Sequence, residues 1–192
     1  MKQTAMQSSK REGKRKMDRF KKDALLSELA DQLRVKGSWC GETHIQKATY
    51  FLQELRSVPL EFEFILYKHG PFSFDLRDEL TAMRADGFFD LSERGPYGPS
   101  LVPTKWSWEL RQDYPKTLAK YASDIAFVCD SLGNKNVAEL EKLATALYVH
   151  FQAASRTPRV RAKILNELKP HISFSDSLEA VNQVDAIVQR SA

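Results

Sequence analysis

LEFEFILYKHGPFSFDL, residues 60–76, is the stretch that decides the fold. In its first half, apolar side chains occupy every second position, at Leu60, Phe62, Phe64 and Leu66, and glutamates lie between the first three. In an extended chain, alternate side chains lie on the same face. The pattern therefore predicts a half-buried strand whose glutamates face water.

A turn and a helix follow this predicted strand. Gly70 and Pro71 interrupt the regular pattern and indicate the turn. The hydroxyl of Ser73 is placed to accept a hydrogen bond from the first free amide groups of a helix. We predict this helix over about residues 73–86, and Gly87 suits its left-handed C-terminal cap.

Two more helices are predicted before the strand. Leucines recur at helical spacing over residues 25–33, and Gly37 offers a stop. In THIQKATYFLQEL, residues 43–55, Thr43 followed three residues later by Gln46 fits a capping box. The apolar residues of this segment predict a mostly buried second helix.

The segment FFDLSERGPYGPSLVPT, residues 88–104, predicts two short strands around a tip rich in glycine and proline. A helix followed by such a hairpin is typical of the end of a winged helix. Pro115 is well placed to open another helix. Further helices are predicted over about residues 116–131, 136–153, 158–168 and 176–190.

These segments together predict a mainly α-helical protein of the α+β class. Residues 23–110 form a winged-helix-like half with a small β-hairpin, and residues 111–192 form an all-helical half. We expect the two halves to pack as one domain. Residues 1–22 are expected to form a separate, disordered arm because they have almost no apolar content.

The positive charge of the chain is concentrated in this arm. Residues 1–22 contain nine Lys or Arg and two acidic residues, whereas residues 23–192 contain 20 basic and 23 acidic residues. The arm therefore carries a charge of +7 and the body −3. A basic tail of this kind is typical of a segment that contacts nucleic acid, although a merely solvated terminus has the same composition.

Composition also bears on the location of the protein. A membrane-spanning helix needs roughly 20 apolar residues, and no run in this sequence approaches that length. The polar, basic N-terminal segment lacks the apolar stretch of a secretory signal. Cys40 and Cys129 lie far apart, form no CxxC pair and indicate free thiols. We therefore expect a cytoplasmic protein that does not bind membranes.

Catalytic motifs are not recognisable in the sequence, which has no phosphate-binding glycine loop, nucleophile elbow or HExxH pattern. Cys40 and His44 are four residues apart, but Gly41 lies between them and no third ligand is evident. The other three histidines are isolated in sequence. We therefore predict no catalytic residue, no metal site and no cofactor, and we expect the protein not to be an enzyme.

The order of motifs resembles that of a known family. HIQKATYFLQEL, a strand, YKHGPFSFDLRDELTAMRADGFF and a hairpin follow one another here, as in the YwgA-like proteins and the related Panacea (SocA-like) domain. The later segment ELEKLATALYVHF resembles the C-terminal helix of that group through Glu141, Ala144, Thr145 and Tyr148. The earlier matching positions are Gln46, Lys47, Tyr50, Tyr67, Lys68, Gly70, Pro71 and Ser73.

This resemblance covers about residues 40–170 and implies a non-enzymatic, mostly helical module. Panacea domains are associated with antitoxins that neutralise diverse toxins and with proteolytic adaptors of the SocA type. The basic arm is not part of the family pattern. The resemblance therefore implies an antitoxin or adaptor that binds a partner protein, whereas the oligomeric state stays open.

The predicted partner surface centres on the turn and its neighbouring helix. A rigid turn flanked by aromatic side chains can hold a partner at low entropic cost. The same residues could equally serve the fold, by turning the chain and by forming an ordinary helix surface. The candidate partner-binding residues are Gln46, Lys47, Tyr50, Tyr67, Lys68, His69, Gly70, Pro71 and Phe72.

The alternative hypothesis is a winged-helix regulator that binds DNA. The predicted helix over residues 73–86 argues against groove reading, because its acidic residues outnumber its arginines and phosphates repel carboxylates. Contacts would then come from the arm, the wing tip and the segment RTPRVRAK. The candidate residues are Lys10, Arg11, Lys14, Arg15, Lys16, Arg94, Arg156, Arg159, Arg161 and Lys163.

Overall fold

The computed structural model describes residues 17–93, 95, 98–153 and 156–191. This part is mainly helical with two small antiparallel hairpins, which confirms the predicted class. The first half contains α1 (Arg19–Val35), α2 (Glu42–Tyr50) with a π-helical extension (Phe51–Leu55), β1 (Ile65–Tyr67), β2 (Gly70–Phe72), α3 (Phe74–Ala85), β3 (Phe89–Ser92) and β4 (Ser100–Pro103). The second half contains α4 (Lys105–Asp113), α5 (Pro115–Leu132), α6 (Val137–Ala153), α7 (Pro158–Leu168) and α8 (Phe174–Ser191).

One hydrophobic core extends through both halves, from Leu25 to Ile187. Helix α1 packs against α4 and α5, and its leucines from Leu25 to Leu33 are buried. Helix α6 packs against α7 and α8, and also against α2 and β2. The β1–β2 hairpin is therefore supported by two helices that lie far apart in sequence.

The residues expected at helix starts and ends mostly lie there in the structure. The Ser73 hydroxyl accepts a hydrogen bond from the Leu76 amide at 3.2 Å, so α3 begins where expected. Gly87 has a φ of +80°, which suits the predicted left-handed end of that helix. Pro115 and Pro158 open α5 and α7.

The start of α1 corrects the predicted arm. Asp18 accepts a hydrogen bond from the Phe20 amide through Oδ1 at 3.1 Å and caps the helix, which begins at Arg19. Residues 19–22 are therefore helical instead of belonging to the arm. The rest of the predicted arm, up to residue 16, lies outside the described residues.

The predicted strand over residues 60–66 is mostly wrong, although its burial pattern is right. Leu60 and Phe62 are buried and the glutamates beside them are exposed, but regular pairing begins only at Ile65. The side-chain amide of Gln53 accepts from the Phe62 amide at 2.8 Å and donates to the Phe62 carbonyl at 2.9 Å. These bonds take the place of a neighbouring strand, and Glu61 has a φ of +61°, so residues 60–64 are neither regularly extended nor part of a sheet.

The capping box predicted for α2 is also wrong. The helix begins one residue earlier, at Glu42, after Gly41, and no side chain caps it. Gln46 is fully buried and uses its amide elsewhere, as described below. A capping-box Gln must bend back over the first helical turn, which this Gln does not do.

The second hairpin confirms the two strands predicted over residues 88–104. Strands β3 and β4 are antiparallel, with Phe89 opposite Pro103 and Ser92 opposite Ser100. Arg94 and Tyr97, at its predicted wing tip, lie outside the described residues. No helix in the part of the chain that the structure describes is long and apolar enough to cross a membrane.

Candidate functional site

The β1–β2 hairpin is a tight turn that lies directly against α6. Lys68 and His69 form the turn, with Tyr67 opposite Gly70. Gly70 has a φ of +83°, and a Cβ atom at this position would lie 3.0 Å from Thr145 Oγ1 and 3.4 Å from the Glu141 carbonyl oxygen. Only glycine allows both the conformation and this close approach to a helix.

Gln46 joins α2 to the residue that follows the hairpin. Its side-chain Nε2 donates to the Ser73 carbonyl at 2.8 Å, and its Oε1 accepts from the Ser73 amide at 2.9 Å. Both residues are fully buried. This reciprocal pair satisfies both backbone groups of Ser73 and fixes the point where the hairpin enters α3.

Lys47 binds the hairpin from the interior of the protein. Its ammonium donates to the Pro71 carbonyl at 2.9 Å, and the residue is only 1% exposed. Burial lowers the pKa of Lys47 to about 8, an effect that the nearby carboxylate of Glu141 partly opposes. A long charged side chain is thus used as an internal donor instead of reaching solvent.

Lys169 holds the hairpin from the opposite end of the chain. Its Nζ atom donates to the carbonyls of Tyr67 at 2.5 Å and Lys68 at 2.6 Å. The residue follows α7 and is buried, and burial lowers its pKa. Two adjacent carbonyls of the turn therefore share one ammonium group.

Glu141 of α6 links the turn to the connection between α7 and α8. One carboxylate oxygen lies 3.2 Å from His69 Nδ1, and the other lies 3.1 Å from His171 Nε2. Lys169 Nζ is 3.9 Å from the second oxygen. These contacts connect α6 to the hairpin turn and to the residues between α7 and α8. No group of three His, Cys, Asp or Glu in the described ranges could hold a metal ion.

An aromatic surface lies on the outer side of this hairpin. We define it by Tyr67, Phe72 and Phe74, whose ring centroids are 5.1–5.8 Å apart. Tyr67 is 52% exposed and Phe74 38% exposed, and Ile65 beside them on β1 is 43% exposed. The surface therefore combines accessible aromatic rings with a backbone that is held at several points.

The structure divides the predicted partner-binding residues into two groups. Tyr67, Lys68 and His69 are exposed, and Phe72 is half-buried. The others are buried, so the prediction that they contact a partner is corrected: they support the turn from inside. These buried residues are Gln46, Lys47, Tyr50, Gly70 and Pro71.

Sequence reasoning missed three residues of this arrangement. Phe74 lies in the first turn of the predicted helix over residues 73–86, and its outward ring has no sequence signal of its own. His171 appeared isolated, and Lys169 precedes a proline without any motif. Their partners lie far away in the chain, up to 102 residues in the case of Lys169 and Tyr67.

The basic segment RTPRVRAK contains one residue that cannot contact a phosphate. Arg161 is 5% exposed and forms a bidentate pair with Asp185, with both N–O distances at 2.6 Å. Its guanidinium also lies 3.0 Å from His150 Nδ1. Arg156, Arg159 and Lys163 are exposed. The prediction of Arg161 as a nucleic-acid contact is therefore wrong.

We expect Arg161→Ala to destabilise the protein by about 2–4 kcal/mol, because it leaves the Asp185 carboxylate partly buried without its partner. Hydrogen bonding to Arg161 lowers the pKa of Asp185, so this stabilisation is present above the ordinary pKa and is lost as pH falls. Urea unfolding at neutral and acid pH measures both effects. Arg159→Ala, at an exposed neighbour, is the control and should change stability little; equal losses would contradict the assignment.

The other basic residues predicted to contact nucleic acid lie outside the described residues. They are Lys10, Arg11, Lys14, Arg15, Lys16 and Arg94.

The sequence pair Cys40 and His44 offers no reactive site. Cys40 is fully buried, and burial raises its pKa to about 12, so the thiol stays protonated. Burial likewise lowers the pKa of His44.

Comparison with known proteins adds no identity to this geometry. Neither the protein-family models nor the curated proteins contain a match to the chain. The resemblance to YwgA-like and Panacea proteins therefore stays a prediction that depends on the quoted motifs.

Proposed function

We propose that the protein is a non-enzymatic interaction module that binds a partner protein through the aromatic surface, as an antitoxin or adaptor. The observation that carries this proposal is the combination of exposed rings and an internally fixed hairpin. Aromatic side chains are enriched among the residues that dominate binding energy at interfaces. A surface fixed before binding loses little conformational entropy when a partner docks.

The proposal gives each buried residue of the hairpin a task. Gln46, Lys47 and Lys169 hold the backbone, so the rings of Tyr67 and Phe74 keep their positions. A partner would place its active or recognition surface against the rings, and that surface of the partner would become inaccessible. Nothing in this mechanism requires a cofactor.

We further propose that α2, α3 and the β3–β4 hairpin are a winged-helix-like scaffold, here used to present a protein-binding surface. The charges of α3 support this use. Asp75 and Asp78 are exposed, and Arg77 is paired with Asp78 at 3.2 Å. Phosphates would be repelled by these carboxylates. We also propose a cytoplasmic location, because Cys40 and Cys129 are free, buried thiols.

The proposal is tested by comparing Tyr67→Ala with Trp108→Ala. Both remove an exposed aromatic side chain, but Trp108 lies on α4, outside the aromatic surface. A protein captured from lysate by the wild type would be identified, purified and titrated against each variant by calorimetry. We expect Tyr67→Ala to weaken binding about 30-fold, as is typical of an interface hot spot near 2 kcal/mol, and Trp108→Ala to bind normally.

Two results would contradict the proposal. One is a stoichiometric complex whose affinity is unchanged by Tyr67→Ala. The other is a complex that loses affinity steeply with salt, since an apolar interface should depend on salt only weakly. The competing hypothesis, a winged-helix DNA-binding regulator, predicts steep salt dependence with DNA instead.

A further inference from the structure

A groove of about 320 Å³ lies between the start of α1, the connection from α3 to β3, and helix α4. We call it the acidic groove, because its lining combines carboxylates with aromatic rings and, apart from these, contains only Leu110. The aromatic residues are Phe20, Phe88, Trp106 and Tyr114, and the acidic residues are Asp86, Glu109 and Asp113. The groove shares no residue with the aromatic surface of the β1–β2 hairpin.

The rings of the acidic groove are accessible and are not packed on one another. Phe20 is 42% exposed and Trp106 is 49% exposed. The rings of the aromatic surface pack in pairs, whereas in the described part of the chain the four rings of the groove form no such pair among themselves. Their faces are therefore not covered by each other.

The negative charge of the groove is only partly neutralised. Glu109 and Asp113 are exposed on α4, four residues apart, and neither forms an ion pair within the described ranges. Like charges at this spacing repel each other on a helix. Burial and the nearby carboxylates of Asp18 and Asp113 raise the pKa of Tyr114, as expected where the potential is negative. A cation bound between these carboxylates would relieve the repulsion.

Arg19 shows how this kind of surface binds a cation. Its guanidinium carbon lies 5.5 Å from the centroid of the Phe20 ring, and its Nη2 donates to Asp86 Oδ2 at 2.7 Å. Phe20 and Asp86 both line the groove. A guanidinium can stack on a ring while it donates to a carboxylate, whereas an ammonium binds as a compact point charge. The edge of the groove thus already holds one arginine through a ring and a carboxylate.

Trp106, together with Glu109 and Asp113, repeats this combination on α4 without an arginine. Lys105 Nζ lies 4.4 Å from the centroid of the Trp106 ring, so the ring attracts a cation on one face. Trp106 nevertheless keeps about half of its surface accessible, as its exposure of 49% shows. No lysine or arginine belongs to the groove lining within the described ranges.

The walls of the groove are held in place by hydrogen bonds between α4 and the connection from α3 to β3. The Thr104 hydroxyl donates to the Gly87 carbonyl at 2.6 Å, and the Ser107 hydroxyl donates to the Phe88 carbonyl. Ser107 is fully buried. A ligand that enters the groove therefore meets a surface that is already ordered, which lowers the entropic cost of binding.

We propose that the acidic groove binds an arginine side chain from a basic segment of a partner protein. The guanidinium would stack on Trp106 and donate to Glu109 or Asp113. A volume of about 320 Å³ lies at the lower end of the range for small-ligand sites, which matches one side chain of a longer chain. A nucleic acid is disfavoured, because the carboxylates repel phosphates.

This proposal is independent of the proposed function, because the acidic groove and the aromatic surface have no residue in common. Tyr67→Ala should leave arginine binding unchanged. Variants of the groove should likewise leave binding at the aromatic surface unchanged. Failure of one proposal is thus distinguishable from failure of the other.

Fluorescence anisotropy with a labelled peptide tests the proposal on the full chain. The probe is a Gly-Ser peptide of about twelve residues that contains two arginines, and its two counterparts carry lysine or citrulline at the same positions. Citrulline keeps the planar shape of arginine but has no charge. We expect a dissociation constant below about 1 mM for the arginine peptide, weaker binding of the lysine peptide, and at least tenfold weaker binding of the citrulline peptide.

Two pairs of variants locate the bound peptide. Trp106→Ala should weaken binding of the arginine peptide about fivefold or more, whereas Trp108→Ala, which removes an exposed ring of the same helix outside the groove, should not.

The second pair compares carboxylates at equal net charge. Glu109→Gln combined with Asp113→Asn should weaken binding about tenfold or more. The control combines Asp90→Asn with Glu93→Gln, at exposed positions outside the groove, and should bind like the wild type. Thermal unfolding by circular dichroism verifies that all variants are folded.

Four results would overturn the proposal. Absence of binding to the arginine peptide at about 1 mM would exclude the site. Equal weakening in the two double variants would mean that only net charge matters, and equal affinity for the lysine peptide would exclude recognition of the guanidinium. Self-association of the wild type in sedimentation, abolished by Trp106→Ala, would identify a second copy of the chain as the occupant instead.

Discussion

Gly70→Ala is expected to lower the free energy of unfolding by about 2–4 kcal/mol. A left-handed conformation costs a residue with a Cβ atom about 1–2 kcal/mol, and overpacking adds about 1–3 kcal/mol. The new methyl group would meet Thr145 Oγ1 at 3.0 Å. That hydroxyl cannot easily move away, because it donates to the Glu141 carbonyl at 2.7 Å. The hairpin must therefore lift from α6.

Gly37→Ala separates the two contributions. Gly37 has a similar φ of +89°, but a Cβ atom there would have nothing within 4 Å. It should cost only the conformational part, about 1–2 kcal/mol. Urea unfolding of both variants measures the difference. If the two substitutions destabilised the protein equally, the close contact between the hairpin and α6 would carry no energetic weight.

Asp23→Asn is expected to stabilise the protein at neutral and alkaline pH, by on the order of 3 kcal/mol. Asp23 is fully buried in α1, and neither carboxylate oxygen has a hydrogen-bond partner among the described residues. Arg19 Nε lies 3.7 Å away but donates at 2.7 Å to Glu79. Burial, together with the charge of Glu79, raises the pKa of Asp23 well above its ordinary value.

The pH dependence follows from the direction of that shift. A carboxyl group with a raised pKa in the folded state contributes its stability below the ordinary pKa and loses it as pH rises through the folded value. The advantage of Asp23→Asn should therefore grow from about pH 4 upward. Asp90→Asn removes an exposed charge and should have little effect at any pH. A constant difference between wild type and Asp23→Asn across this range would contradict the assignment.

The helices could be predicted because their signals are local. Apolar periodicity, together with Ser73, Gly87, Pro115 and Pro158, located most helix starts and stops. Strand β2 could not be predicted, because Gly70 and Pro71 are read as breakers. In the structure, Gly70 and Pro71 belong to β2, which pairs with β1. This short strand pair is stabilised by contacts with α2 and α6 and not by strand propensity.

The site could be predicted only in part, for a different physical reason. Tyr67 and its neighbours in the turn were recognisable as candidates. Lys47 was expected at a helix surface, since lysine is seldom buried, and its burial depends on the Pro71 carbonyl and Glu141 being brought to it. The position of Gln46 also fitted a capping box, in which its side chain would bind the start of its own helix. In the structure the side chain binds the backbone of Ser73 instead, and tertiary packing decides between these two partners.

The two hydrogen bonds that Lys169 donates to the β1–β2 hairpin have a consequence for the timing of folding. Tyr67 and Lys68 leave the ribosome about a hundred residues before the ammonium group that holds their carbonyls. During synthesis, β1 and β2 are therefore complete before Lys169 is available to bind them. The aromatic rings can therefore reach their fixed arrangement only after Lys169 has been synthesised. A nascent chain that ends before this residue would carry the rings without the fixed backbone.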